Sequence, residues 1–141
     1  KTAQVAQRLV SVGLKFDLLL TSPLVRAAQT AEILQQAGLA KTMETFTPLK
    51  PDGAIAKHGR SPIAEWLDWL QQYQLQHPDA KIALVGHQPD LGNWAEMLLW
   101  GDIKGQIEVK KSGAIGLKIP QFGTPIARST LFLHVSPKWL I

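Results

Sequence analysis

Cysteine is absent from all 141 residues. Disulfide frameworks, thiolate zinc sites and cysteine nucleophiles are therefore excluded. Long apolar runs are missing too: no stretch nears the ~20 consecutive residues that span a bilayer, and the opening KTAQVAQRLV reads as an amphipathic helix, not a secretory signal. No membrane partner is expected, and the cytoplasm is the default compartment. Low-complexity tracts and charge runs are lacking, which excludes a disordered tail. The chain holds no GxSxG elbow, no GxxxxGK[ST] loop and no GxGxxG turn, so the corresponding hydrolase and nucleotide sites find no support. The four histidines, His58, His77, His87 and His134, are scattered without the close spacing of zinc or iron ligands. Neither a metal nor a cofactor is expected.

What is present suits one globular domain over 1–141. Hydrophobic residues make up 45% and charged residues 18%, and a chain of this length buries roughly 70% of its unfolded surface. The net charge of +4 is uneven: residues 1–100 carry nine basic and nine acidic side chains, and residues 101–141 carry six basic and two acidic. Such a field favours a phosphate-bearing or acidic partner, although Lys104, Lys110, Lys111, Lys118 and Lys138 read most simply as solvated surface.

Val5, Leu9 and Val12 at spacings of four and three predict a helix stopped by Gly13. Because the chain starts with Lys, already inside an element, a preceding segment is expected. Phe16–Leu20 is the apolar run of a doubly covered parallel strand, and Ser22-Pro23 then predicts a capped helix with Leu24, Ala28, Ala31 and Leu34 on one stripe. A strand near 44–47, an irregular loop to Ser61, and a helix from Ser61-Pro62 with Ile63, Trp66, Leu67, Leu70 and Tyr73 inward come next. Lys81–Gly86 is the clearest buried strand, and it leads into a helix with Leu91, Trp94, Leu98 and Leu99, with Asp90 as the expected cap. After Gly101 the period turns to two, at 113–119 and 128–135, which predicts an antiparallel pair. Strands alternating with helices, then paired strands, predict a three-layer α/β/α sandwich with a mixed, mainly parallel sheet.

Two polar turns, 22–26 and 86–90, each come after an apolar strand and precede a helix. If the strands are parallel, both turns lie at the carboxyl edge where ligands bind in open α/β sheets. Arg26 stands in the first turn of its helix, where a cation opposes the macrodipole at a cost of about 0.3–1 kcal/mol. A bound phosphate would offset that cost, because a guanidinium fork matches two phosphate oxygens; a solvated or carboxylate-paired arginine is the bland alternative. His87 emerges at the same edge after Gly86 and could donate to developing phosphoryl charge.

The segment TSPLVRAAQTAEIL at 21–34, with its Ser-Pro-x-x-Arg-Ala-x-Gln-Thr spacing, and ALVGHQPDLGNW at 83–94 together resemble the histidine phosphatase superfamily, the phosphoglycerate mutase-like fold. The compact length and the short 48–60 loop are similar to its small phosphohistidine phosphatase branch. The resemblance implies metal-free phosphoryl transfer through a phosphohistidine intermediate. It assigns Arg26 and His87 to the phosphoryl clamp, with Ser22 and the backbone N–H of Gln88 as lesser phosphate contacts. The implied partner is a phosphorylated protein, a histidine-containing phosphotransfer or kinase domain, with no nucleic acid, no membrane and a monomeric chain.

The chain departs from that pattern at one point. The arginine-histidine-glycine motif that should close the first strand does not occur in these residues, and the lone histidine-glycine pair, His58-Gly59, comes after a loop and no buried strand. The nucleophile and the first strand are expected ahead of Lys1. Glu44 and Asp52 are the nearest candidates for a general acid, neither in a recognisable motif. A phosphohistidine substrate needs less acid assistance, since its imidazole can leave already protonated. Two other functions fit the same residues: a small-molecule phosphomonoesterase, and a non-catalytic phosphate- or phosphoprotein-binding module.

Overall fold

The computed structural model describes residues 1–51 and 61–141. The chain divides into two compact units, Thr2–His87 and Gln88–Ile141. Asp52 and His58-Gly59 lie outside the described residues.

The first unit runs α1 (Thr2–Ser11), β1 (Phe16–Thr21), α2 (Val25–Gln36), β2 (Ala40–Thr45), a 3-10 turn at Thr47–Leu49, α3 (Pro62–Gln76) and β3 (Ile82–Val85). Its three strands form one parallel sheet in the order β2-β1-β3. The middle strand carries Leu18, Leu19 and Leu20, each at most 2% exposed, as expected of a strand covered on both faces. The unbroken apolar run Ile82–Val85 of β3, expected to be the clearest buried strand, is only half-buried at the sheet's edge. Leu19 centres a core with Ala31 and Ala40, against which Phe16, Leu34, Met43, Ala83 and Val85 pack. Asp17 ties β1 to the start of β3, its carboxylate accepting from the Lys81 N–H at 2.9 Å.

The expected helix faces hold except at single positions. In α1 the buried positions are Val5, Ala6 and Leu9, while Val12 is 59% exposed, because the helix ends at Ser11 and Gly13 at φ 95° redirects the chain. In α2 the inward stripe is Ala27 and Ala31, not Leu24, which is exposed; two alanines let the helix axis come close to the strands. The β2 strand begins at Ala40, earlier than the expected 44–47, and the turn at Thr47–Leu49 comes after it. Ser61 caps α3 as expected, its Oγ accepting from the Ala64 N–H at 3.3 Å, with Pro62 in the first turn and Trp66 and Leu70 buried.

In the second unit α4 (Asp90–Trp100) ends on Gly101 at φ 81°, whose N–H returns to the carbonyls of Glu96 and Met97. The cap position falls on Pro89 and not on the expected Asp90. The side-chain oxygen of Gln88 accepts from the Gly92 N–H at 3.0 Å, serving one of the free donors of the first turn. Strands β4 (Ala114–Lys118) and β5 (Thr130–Val135) pair antiparallel as expected, but as a two-stranded sheet of their own. Phe132 lies over Gly116, where a Cβ would meet the ring at 2.4 Å.

Glu96 is a fully buried acidic side chain on α4. Its carboxylate accepts backbone N–H bonds from Lys104, from Gln106 at 2.7 Å and from Ile107 at 2.9 Å. The Ile107 bond, more than the others, holds the acid below its ordinary value of 4.5, against the opposing pull of burial. One carboxylate thereby folds the whole 104–107 segment back onto its helix.

Candidate functional site

The site begins with strand register. Because β1 and β3 are adjacent and parallel, with Thr21 opposite Val85, the residues just past their ends emerge together at one carboxyl edge. The Ser22 N–H continues the ladder to the Val85 carbonyl at 2.9 Å. One step further, the His87 Nε2 and the Ser22 Oγ are 2.9 Å apart.

Ser22 is 0% exposed. Its Oγ also accepts from the Leu24 N–H at 3.2 Å, so the side chain organises the turn from within. The expected capping role is altered: α2 starts at Val25, its cap position is Leu24, and no side chain caps it. Among the described residues the N–H groups that open α2 thus have no side-chain acceptor, and its first turn contains no acidic residue.

Arg26 is the second residue of that helix and is exposed. Among the described residues no hydrogen bond or ion pair engages its guanidinium. An unpaired cation at the positive end of a helix, beside free N–H donors, is an arrangement that an anion would relieve. His87 is half-buried, with one ring nitrogen on Ser22 and no partner for the other among the described residues. Gln88 opens the second unit with an exposed side chain whose oxygen is committed to Gly92. Glu44 is exposed on β2.

Among the described residues no group of three or more His, Asp or Glu could hold a metal ion, and no helix is long and apolar enough to cross a membrane. In the second unit a cavity of about 380 Å³ is lined by Gln106, Glu108, Lys110, His134 and Trp139 among others, and none of Ser22, Arg26, His87 or Gln88 borders it.

Sequence reasoning found the turns but missed the Ser22–His87 pair. The two residues are 65 positions apart, and a local cap rule sees only the helix next door. The apolar runs ahead of both turns were the available signal, because adjacent parallel strands deliver the two turns side by side.

The fold is that of the protein histidine phosphatase SixA, an α/β fold with mainly parallel strands. A solved structure of SixA complexed with tungstate superposes with a TM-score of 0.78 at 20% identity, covering 100% of this chain and 81% of that one. The chain belongs to the family of an uncharacterized protein from Picosynechococcus sp. (strain ATCC 27264 / PCC 7002 / PR-6), with which it is 44% identical over 144 residues, spanning 100% of this chain and 81% of the relative. No family model matches.

Proposed function

We propose that this chain is part of a metal-free phosphatase of the histidine phosphatase superfamily, of its small phosphohistidine branch, acting on phosphohistidine carried by a protein. The observation that carries the reading is the shared sheet edge: the parallel β1–β3 register sets His87 against Ser22, at the entrance to the helix that bears Arg26. The SixA-like fold supports it. In this reading Arg26 grips two phosphoryl oxygens through its fork while His87 donates to a third as charge develops. Each is worth most in the transition state, where the oxygens are most negative. Gln88 offers its backbone N–H as a lesser contact. The reading calls for an attacking histidine beyond the motifs of these 141 residues, and we place it ahead of Lys1. A phosphotransfer or kinase domain is the proposed substrate and the cytoplasm the proposed compartment.

The test is kinetic. The full-length protein should hydrolyse a phosphohistidine peptide with a higher kcat/KM than a sugar phosphate, and mass spectrometry of the trapped enzyme should find phosphate on a histidine upstream of Lys1. Arg26→Ala should lower kcat by on the order of 10²–10³, the range for removing one donor to a developing oxyanion. Preference for the sugar phosphate would shift the reading to a metabolite phosphomonoesterase. Tight orthophosphate binding without turnover would leave a docking module.

A further inference from the structure

The contact between Ser22 and His87 constrains where the histidine's proton sits. A serine hydroxyl has one proton and two lone pairs. At Ser22 the Leu24 N–H occupies one lone pair, and the partner on the other side is the His87 Nε2 at 2.9 Å. Two arrangements are open. Either the Oγ–H donates into a bare Nε2, or an Nε2–H donates to Oγ. The first uses the proton and one lone pair. The second fills both lone pairs and strands the hydroxyl proton, and no acceptor for it is found among the described residues. With Ser22 0% exposed, water offers no remedy, and a buried donor left without a partner is strongly disfavoured.

We propose that Ser22 is a positioning residue that holds neutral His87 as its Nδ1–H tautomer, reversing the Nε2–H preference of free histidine. The ring is then fixed at Nε2 and left with a single donor, Nδ1–H, for an anion at the sheet edge. Ser22 serves the anion through His87 and does not touch it. The tautomer is a property of the protein by itself; only the role of the Nδ1–H toward phosphate rests on the function proposed above.

The experiment is a long-range ¹H–¹⁵N correlation on full-length protein carrying ¹⁵N-labelled histidine, at neutral pH. The His87 Nδ1 should resonate as a protonated nitrogen and Nε2 as a bare acceptor. In Ser22→Ala the two should exchange character, and in Ser22→Thr, which keeps the hydroxyl, they should not. An Nε2–H ring in the parent protein overturns the proposal, as does an Nδ1–H ring that survives Ser22→Ala. If the alanine variant fails to fold, the tautomer of the parent decides. Adding orthophosphate or tungstate separates the two ideas. A shift of Nδ1 on titration supports both, whereas an Nδ1–H ring that no anion moves upholds the positioning by Ser22 and sinks the phosphate site.

Discussion

Gly92→Ala sets two opposing effects against each other with known magnitudes. Gly92 lies in the first turn of α4, where alanine would ordinarily gain up to about 1 kcal/mol of helix propensity. Here the added Cβ would stand 2.2 Å from the Ile107 carbonyl oxygen, about 1 Å inside ordinary carbon–oxygen contact. The obstacle is backbone, which cannot rotate aside as a side chain does, and the segment is anchored by Glu96 through the Gln106 and Ile107 N–H groups. Withdrawal of the loop would loosen those bonds. Overpacking of this kind costs about 1–3 kcal/mol, and the depth of the overlap places it at the upper end. The net loss expected is about 2 kcal/mol, or a fall in Tm of about 6–10 °C for a chain of this length. Urea unfolding tracked by tryptophan fluorescence is a suitable assay, since Trp94 is buried in the same unit. A variant within about 0.5 kcal/mol of the parent, the range of innocuous surface changes, would refute the close approach.

The same packing sets other outcomes. Glu96→Gln should destabilise the protein at neutral pH and lose its effect in acid. The folded-state acid sits below its ordinary value, so its contribution is complete above the unfolded value and disappears as the pH falls through the folded one. Unfolding curves for parent and variant should separate at pH 7 and draw together in acid, as the pH falls through the lowered folded-state value; an equal gap at neutral and strongly acid pH would contradict the assignment. Leu19→Ala should cost about 2–5 kcal/mol, because Leu19 is 0% exposed at the centre of the β1 core, and a smaller loss in the urea midpoint would mean that the core collapses around the gap.

Much of this was legible in the residues, and the parts that were not share a cause. Leu18–Leu20 announced a strand covered on both faces, Ser61-Pro62 announced a helix start, and the period-two segments announced the antiparallel pair; each is a signal carried by near neighbours. Both polar turns were found for the same reason. In α1 the expected Val5 and Leu9 are buried and Val12 is not, because the helix ends before it; in α2 Ala27 took the inward position that pattern reading gave to Leu24, since burial is decided by how near the opposing strand can come. Ser22 read as a helix cap because its partner His87 is distant in sequence. Glu96 and Gly92 gave no signal, since their purpose is set by a returning segment more than ten positions on.

The place of β1 between its two neighbours bears on durability. Hydrogen-bonded along both flanks, it should open only when the whole unit opens, and its amides should be among the slowest to exchange with deuterated solvent. Ser22 prolongs that strand by one more rung to Val85. The imidazole is therefore moored to the least yielding part of the unit, while the guanidinium rides on an exposed helix turn, so warming should disturb the arginine's position well before it disturbs the histidine's.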